Sequence, residues 1–260
     1  MLSACNKESC HDPDAENFHP AGGSACDDCC IYDENKNLIN LQLKFHHFVN
    51  NDKFEYGREY YMLDARFVKF TFLRYYLSDF KFVSSNNDTI HFSDKVFLID
   101  PNDNIAGSFE LPIASYNEIL FNVGVPEHLN HINPAEYSHG HPLGYQSPSM
   151  HWEINPGYIF FKLEGRIDNT IPPNAELNQD LAYHIGTDML YEQVSVLLNS
   201  NLYAEQNANI NIKLDINKLF DGIQVANNPI VMAISGEIAI QNAILFSDNF
   251  NKAFYLKAKK

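Results

Sequence analysis

Leu41-Gln42-Leu43-Lys44-Phe45-His46-His47-Phe48-Val49 alternates between apolar and polar side chains. Successive side chains of a strand point to opposite faces, so Leu41, Leu43, Phe45, His47 and Val49 share one face, and Gln42, Lys44 and His46 share the other. The run predicts a strand with one face in a core. Residues 66–83, dense in aromatic and β-favouring types, read as one bent strand or two, with Tyr76, Ser78, Phe80 and Phe82 on one side. Further strands are predicted at 95–100, 116–125, 158–164, 191–198 and 208–215, with Asn- and Pro-rich breaks between them. Helical pieces fit only at 216–221 and within 233–257. The whole predicts an all-β chain, an antiparallel β-sandwich with long loops and short helical pieces near the C-terminus.

At 260 residues, with 45% hydrophobic and 13% aromatic content, the chain is long enough for a folded all-β domain with a sizeable core. Its 33 acidic and 18 basic residues give a net charge of −15, which argues against binding nucleic acid or docking on anionic lipid. No stretch is apolar for the ~18 residues a membrane span needs. Nor is there an H-E-x-x-H, a G-x-S-x-G or a Gly-rich phosphate loop, so a hydrolase is poorly supported and the protein is expected not to be an enzyme.

All five cysteines lie in the first thirty residues. Leu2-Ser3-Ala4-Cys5 looks like the end of a bacterial lipoprotein signal, which makes Cys5 the candidate lipidation site. Cys10, Cys26, Cys29 and Cys30 remain, an even number, and in an exported chain they read as two disulfides with three possible pairings. A Cys29–Cys30 bridge is disfavoured, because adjacent cysteines close only with strain. A zinc knuckle from Cys10, His11, Cys26 and Cys29 is the alternative. Residues 1–36 form a polar leader and 37–260 the body. In the leader, Asp12, Asp14 and Asn17 suit a hard cation, though an ordinary Asx-rich turn accounts for them as well. The leader resembles the Cys-bounded segment that often follows the lipid anchor in surface lipoproteins of Bacteroidetes-type bacteria.

Periodicity stops after residue 125, and an irregular region runs to Trp152. A loop this long inside a compact domain is usually functional or disordered, and its histidines and aromatics argue for function. Met150, His151 and Trp152, the only tryptophan, sit at its end. Imidazole suits Cu(II) and a thioether suits Cu(I), so this segment is a candidate copper wall. His151 and Trp152 point to opposite faces if the segment is extended, so only one of them can join a given site. His139 and His141, at i and i+2, would share one side of a strand and form an accessory site, or they are simply exposed loop histidines. His184 lies in another short apolar segment, 180–186. The plainer alternatives are core histidines for His47 and His184, a core aromatic for Trp152 and a gap-filling Met150.

Several phrases together resemble one family. They are Tyr76-Leu77-Ser78-Asp79-Phe80-Lys81-Phe82, Phe97-Leu98-Ile99-Asp100, and Ile119 to Pro126 followed by Leu129-Asn130. Met150-His151-Trp152 leads to Gly157-Tyr158-Ile159-Phe160 and Leu163-Glu164-Gly165, and Tyr183-His184-Ile185-Gly186 follows. In this order, over about residues 38–258, they resemble the MbnP-like copper-binding proteins. That resemblance implies a β-rich exported fold with a mononuclear copper site. It implies His47 and His184 as histidine ligands and Trp152 as a tryptophan oxidised to kynurenine by a di-haem partner of the cytochrome c peroxidase type. Ile154 stands where the family pattern has a second Trp; if that second position is the oxidised one, the modification is absent here.

The sequence therefore predicts an exported outer-membrane lipoprotein, periplasmic or at the cell surface, that binds one copper ion for storage, sequestration or trafficking. The competing expectation is a surface-anchored β-sandwich that binds a glycan or a protein and holds no specific metal.

Overall fold

The computed structural model of the protein describes residues 8–13, 15–19, 23–26, 28–31, 38–62, 64–103, 105–152, 157–203, 208–232 and 236–256. The alternating run at 41–49 belongs to strand β1, Leu38–Val49, in which every second side chain from Ile39 to Val49 is buried, His47 included. The aromatic run forms a single long strand, β2, Phe67–Ser84. Then come β3 (Thr89–Ile99), β4 (Ile105–Pro112), β5 (Ser115–Val123), β6 (Ile159–Ile167) and β7 (Gln179–Gly186). The chain continues through β8 (Glu192–Tyr203), β9 (Ala208–Asp215), β10 (Ile230–Met232), helices α1 (Glu237–Asp248) and α2 (Phe250–Ala253), and β11 (Phe254–Leu256). Helical pieces fall at Ile216–Phe220 and in the C-terminal stretch, where the sequence allows them, but also at Glu127–Asn130, Pro134–Glu136 and Asp188–Leu190, where it does not: single helical turns inside loops are too short to show a period.

Two sheets face each other. The larger runs β8-β5-β2-β6-β7-β10, with β3 and the short strand Glu59–Tyr61 also paired to β2. The smaller runs β11-β9-β1 and adds β4 and Asp52–Lys53 on β1. Most pairs are antiparallel as expected, but β7 with β10 and β9 with β1 are parallel. Strand-length periodicity carries no information about which neighbour a strand takes. Between the sheets lies an aromatic core in which Phe45 meets Phe121 and Phe254, and Tyr75 stacks on Phe161 at 5.1 Å. Phe246 of α1 stacks on Tyr183, so the helix closes one end of this core. No helix among the described residues is long and apolar enough to cross a membrane.

One expected face is corrected. Tyr76 and Ser78 do not share a side with Phe80 and Phe82. Asp79 adopts φ 54°, and the pairing with β3 shifts register between Ser78 and Phe80. One extra residue in a strand reverses the parity of all that follows. Phe80 and Phe82 therefore enter the main core, while Tyr76 lies on the outer face of the larger sheet. There a second, smaller core gathers Tyr76, Val125, Leu143, Met150, Tyr158 and Phe160. The irregular region after β5 folds back over this face.

In the leader, the pairs are Cys10–Cys30 and Cys26–Cys29. These cysteines are disulfide-bonded, which leaves no thiolates for the zinc-knuckle alternative. Asn17 acts as a local clamp: its side chain donates to Cys29 O at 2.6 Å and accepts from Ile31 N at 2.7 Å. Cys5 and Asp14 lie outside the described residues.

Candidate functional site

The outer face of the larger sheet is not smooth apolar surface. On β6, Lys162 and Glu164 alternate with Phe161 and Leu163, which enter the main core. On β7, His184 stands directly opposite Lys162 and alternates with the core residues Tyr183 and Ile185. Glu164 Oε1 lies 2.8 Å from His184 Nε2 and 3.4 Å from Lys162 Nζ. A carboxylate only accepts hydrogen bonds, so Nε2 carries the proton and Nδ1 keeps a lone pair. Burial holds the His184 imidazole below its ordinary pKa; the Glu164 hydrogen bond opposes that shift and the Lys162 charge adds to it.

The irregular region is pinned onto this face at several points. Tyr76 OH donates to Pro142 O at 3.1 Å and Tyr158 OH to Leu143 O at 2.6 Å. Arg74 reaches Ser147 O at 3.2 Å, and Lys162 Nζ reaches Ser149 O at 3.1 Å. Asn130, fully buried, accepts from Tyr158 N at 2.7 Å and donates to Asp188 at 2.8 Å. All but the side-chain bond from Asn130 to Asp188 satisfy a backbone group, which is how so long a segment is held in one conformation. Burial raises the Tyr76 and Tyr158 hydroxyls above their usual pKa, so both remain donors at any neutral pH.

At the end of the loop, Ile159 N donates to Met150 O at 2.8 Å and Trp152 N to Gly157 O at 2.9 Å. This pairing sets the Trp152 indole beside His184, with ring centroids 5.9 Å apart and planes at 52°. Trp152 Nε1 is buried and finds no hydrogen-bond partner among the described residues. Leaving such a donor unpaired costs about 1–3 kcal/mol, and Tyr137 OH, packed on the small core, and Thr187 Oγ1, next to Gly186, are likewise buried without a partner among the described residues. Gly186 makes the approach possible: a Cβ there would stand 2.6 Å from Tyr158 O and 3.1 Å from Trp152 Nε1.

The other candidates divide. Met150 is buried in the small core, its neighbours there all apolar or aromatic. His151 turns away from Trp152 and sets its ring edge-on to Tyr158 at 5.0 Å, as the opposite-face argument expects. Met150, His151 and Trp152 all line an open cleft of about 660 Å³, with Tyr145, Gln146 and His131 on its rim. His139 and His141 are not on a strand. The turn at Gly140, φ 87°, separates them, leaving His139 exposed while His141 stacks on Tyr137 at 4.4 Å and accepts from Leu143 N. They form no accessory pair of the kind the spacing suggested.

His47 lies elsewhere. It projects from β1 into the main core, where Nε2 sits 2.9 Å from Tyr75 OH. Burial, with a smaller push from His46, lowers its pKa to about 3. The larger sheet separates it from His184, so the structure does not bring the two histidines together. Among the described residues, no three or more His, Cys, Asp or Glu side chains gather at one point. What does gather is an imidazole oriented by a carboxylate and an orphaned indole nitrogen beside it. A histidine whose second nitrogen is held by a carboxylate is a common ligand arrangement for Zn and Cu ions, so this pair fits such a cation. Ile154 lies outside the described residues.

Sequence reasoning missed Lys162, Glu164 and Gly186 as parts of this wall. The signal was a lysine and a glutamate two apart in an otherwise apolar run, which a solvent-facing strand edge explains only if that face is open. Here it is roofed.

A family model described as MbnP matches residues 39–233. Among solved structures, MbnP from Methylosinus trichosporium is similar over 71% of this chain and 78% of its own, at 13% sequence identity and a TM-score of 0.49. No curated protein matches the chain.

Proposed function

The chain belongs to the MbnP family, and from the copper association of that family we propose that it is an exported protein that binds a single copper ion at the wall formed by His184 and Trp152. The observation that carries the reading is the buried, unpartnered Trp152 Nε1 beside a carboxylate-oriented imidazole. An indole N–H is a poor ligand. Cleavage of the indole C2–C3 bond, a four-electron oxidation with peroxide as the oxidant, followed by hydrolytic loss of C2 as formate, would turn that nitrogen into the arylamine of kynurenine, with a lone pair, beside His184. A di-haem partner of the cytochrome c peroxidase type would carry out the oxidation, reaching Trp152 from the open cleft. His151 and Met150 border that cleft and are next in line as donors. The protein holds or passes on the ion and does not turn over a substrate.

Two disulfides in the leader support an oxidising compartment and hence export; the lipid anchor at Cys5 rests on the lipobox-like Leu2-Ser3-Ala4-Cys5 alone. The second reading, a glycan- or protein-binding module, draws on the cleft itself, whose rim carries the exposed ring of Tyr145. Copper titration with metal analysis separates the two. The copper reading expects about one equivalent in the wild type and none bound tightly in His184→Ala. No tight copper in protein from the native host sinks it. Intact mass spectrometry of the same sample reads whether Trp152 has been converted.

A further inference from the structure

A buried lysine is costly unless something holds its charge, and Lys162 is only 8% exposed. Its ammonium makes two directed contacts that point to different halves of the wall. One goes to Glu164 Oε1, the oxygen that also holds His184 Nε2. The other goes to Ser149 O, three residues before Trp152. The ammonium also stands over an aromatic face, with Nζ 5.3 Å from the centre of the Phe72 ring. Directly across β7, its register partner is His184 itself.

We propose that Lys162 and Glu164 are positioning residues for the metal site: Glu164 fixes His184 as the Nε2–H tautomer so that Nδ1 faces the ion, and Lys162 ties Glu164 to the loop that carries Trp152. The inference rests on the copper reading above and deepens it. Three facts make it more than a surface ion pair. Glu164 Oε1 is shared by both partners, so removing either one changes the hydrogen bonding of the other. Lys162 bridges strand and loop, so the distance between His184 and Trp152 depends on it. The Lys162 end of the pair is buried beneath the loop while the Glu164 side chain stays 34% exposed, so solvent competes less at the lysine end than at an exposed surface. The backbone bond from Trp152 N to Gly157 O fixes the loop end locally, whereas Lys162 ties the loop to the strand that carries Glu164; the Ser149 hydroxyl is already engaged with His151 O.

Two measurements test it. In metal-free wild-type protein, nitrogen-15 NMR of the histidine rings reads the His184 tautomer directly; Nε2–H is expected, and Nδ1–H overturns the proposal. Copper(II) titration from a chelator buffer then reads affinity. Glu164→Ala is expected to bind copper about 10–100-fold more weakly at unchanged stoichiometry. Glu164→Gln, which keeps an acceptor oxygen in place, restores most of that loss. Wild-type affinity in Glu164→Ala overturns the proposal. Should Glu164→Ala fail to fold, the tautomer in wild type and the Glu164→Gln titration still decide it. A wild-type protein that takes up no copper refutes the copper reading and with it the positioning role for a metal, whereas an Nδ1–H tautomer in a protein that does bind copper refutes the positioning role alone.

Discussion

The larger sheet stands between His47 and His184. His47 Nε2 ends on Tyr75 OH, 2.9 Å away inside the sandwich, whereas His184 Nε2 ends on Glu164, 2.8 Å away on the outer face. Two side chains separated by a sheet cannot share one ion while the sheet persists. His47→Ala is therefore expected to keep copper stoichiometry and lose stability. It leaves the Tyr75 hydroxyl unpaired in the core and opens a cavity, together worth about 2–4 kcal/mol. Urea unfolding and metal analysis on the same variant check this, and loss of copper without loss of stability would show that His47 is a ligand.

The buried His47 also makes stability depend on pH. Its folded pKa is about 3, against an ordinary value of 6.5. Between those values the unfolded chain binds a proton that the folded chain refuses, so the contribution is present above pH 6.5 and is lost as pH falls toward 3. The slope reaches about 1.4 kcal/mol per pH unit. His47→Gln lacks this term, so the stability advantage of the wild type should narrow steadily between pH 6.5 and 4. A constant difference across that range would mean that His47 titrates normally in the folded protein.

Gly186 is predicted to be intolerant of even one carbon. A Cβ would meet Tyr158 O at 2.6 Å, a backbone atom that cannot swing aside, and Trp152 Nε1 at 3.1 Å. Gly186→Ala should push β7 away from the loop end, redshift and broaden the fluorescence of the single tryptophan, and weaken copper binding more than it lowers the melting temperature. Unchanged tryptophan emission would contradict the close approach.

The alternation in β1 and the density of β-favouring residues in β2 were enough to read strands, a sandwich and a long irregular loop. Three features were hidden for identifiable reasons. A period-2 pattern assumes an unbroken ladder, so the bulge at Asp79 sent Phe80 and Phe82 to the face opposite the one the count gave. The same pattern says that His47 is inward on its own strand but not which sheet it looks at. Lys162 and Glu164 alternate with core residues, and strand alternation does not say that the loop ending at Trp152 returns over that face to meet Lys162. The motif residues Asn130, Tyr158 and Gly186 were legible as phrases, yet their work is to pin loop to sheet, which only the three-dimensional contacts make visible.

Met150 offers the sharpest choice between ligand and filler. It is buried among Tyr76, Val125, Leu143, Tyr158 and Phe160, a setting a thioether shares with any apolar side chain of its size. Met150→Leu conserves volume and should cost less than about 1.5 kcal/mol. If Met150 only fills space, copper(I) and copper(II) affinities stay at wild-type values. If its sulfur ligates, copper(I) affinity falls steeply while copper(II) affinity changes little, because a soft thioether favours the reduced ion. Its neighbour serves as the control. His151 borders the cleft, and burial depresses its pKa. His151→Ala removes a borderline imidazole donor together with its edge-on contact to Tyr158 of the small core, so urea unfolding of this variant separates a copper effect from repacking. Wild-type binding in both variants leaves His184 and Trp152 as the protein donors on this wall.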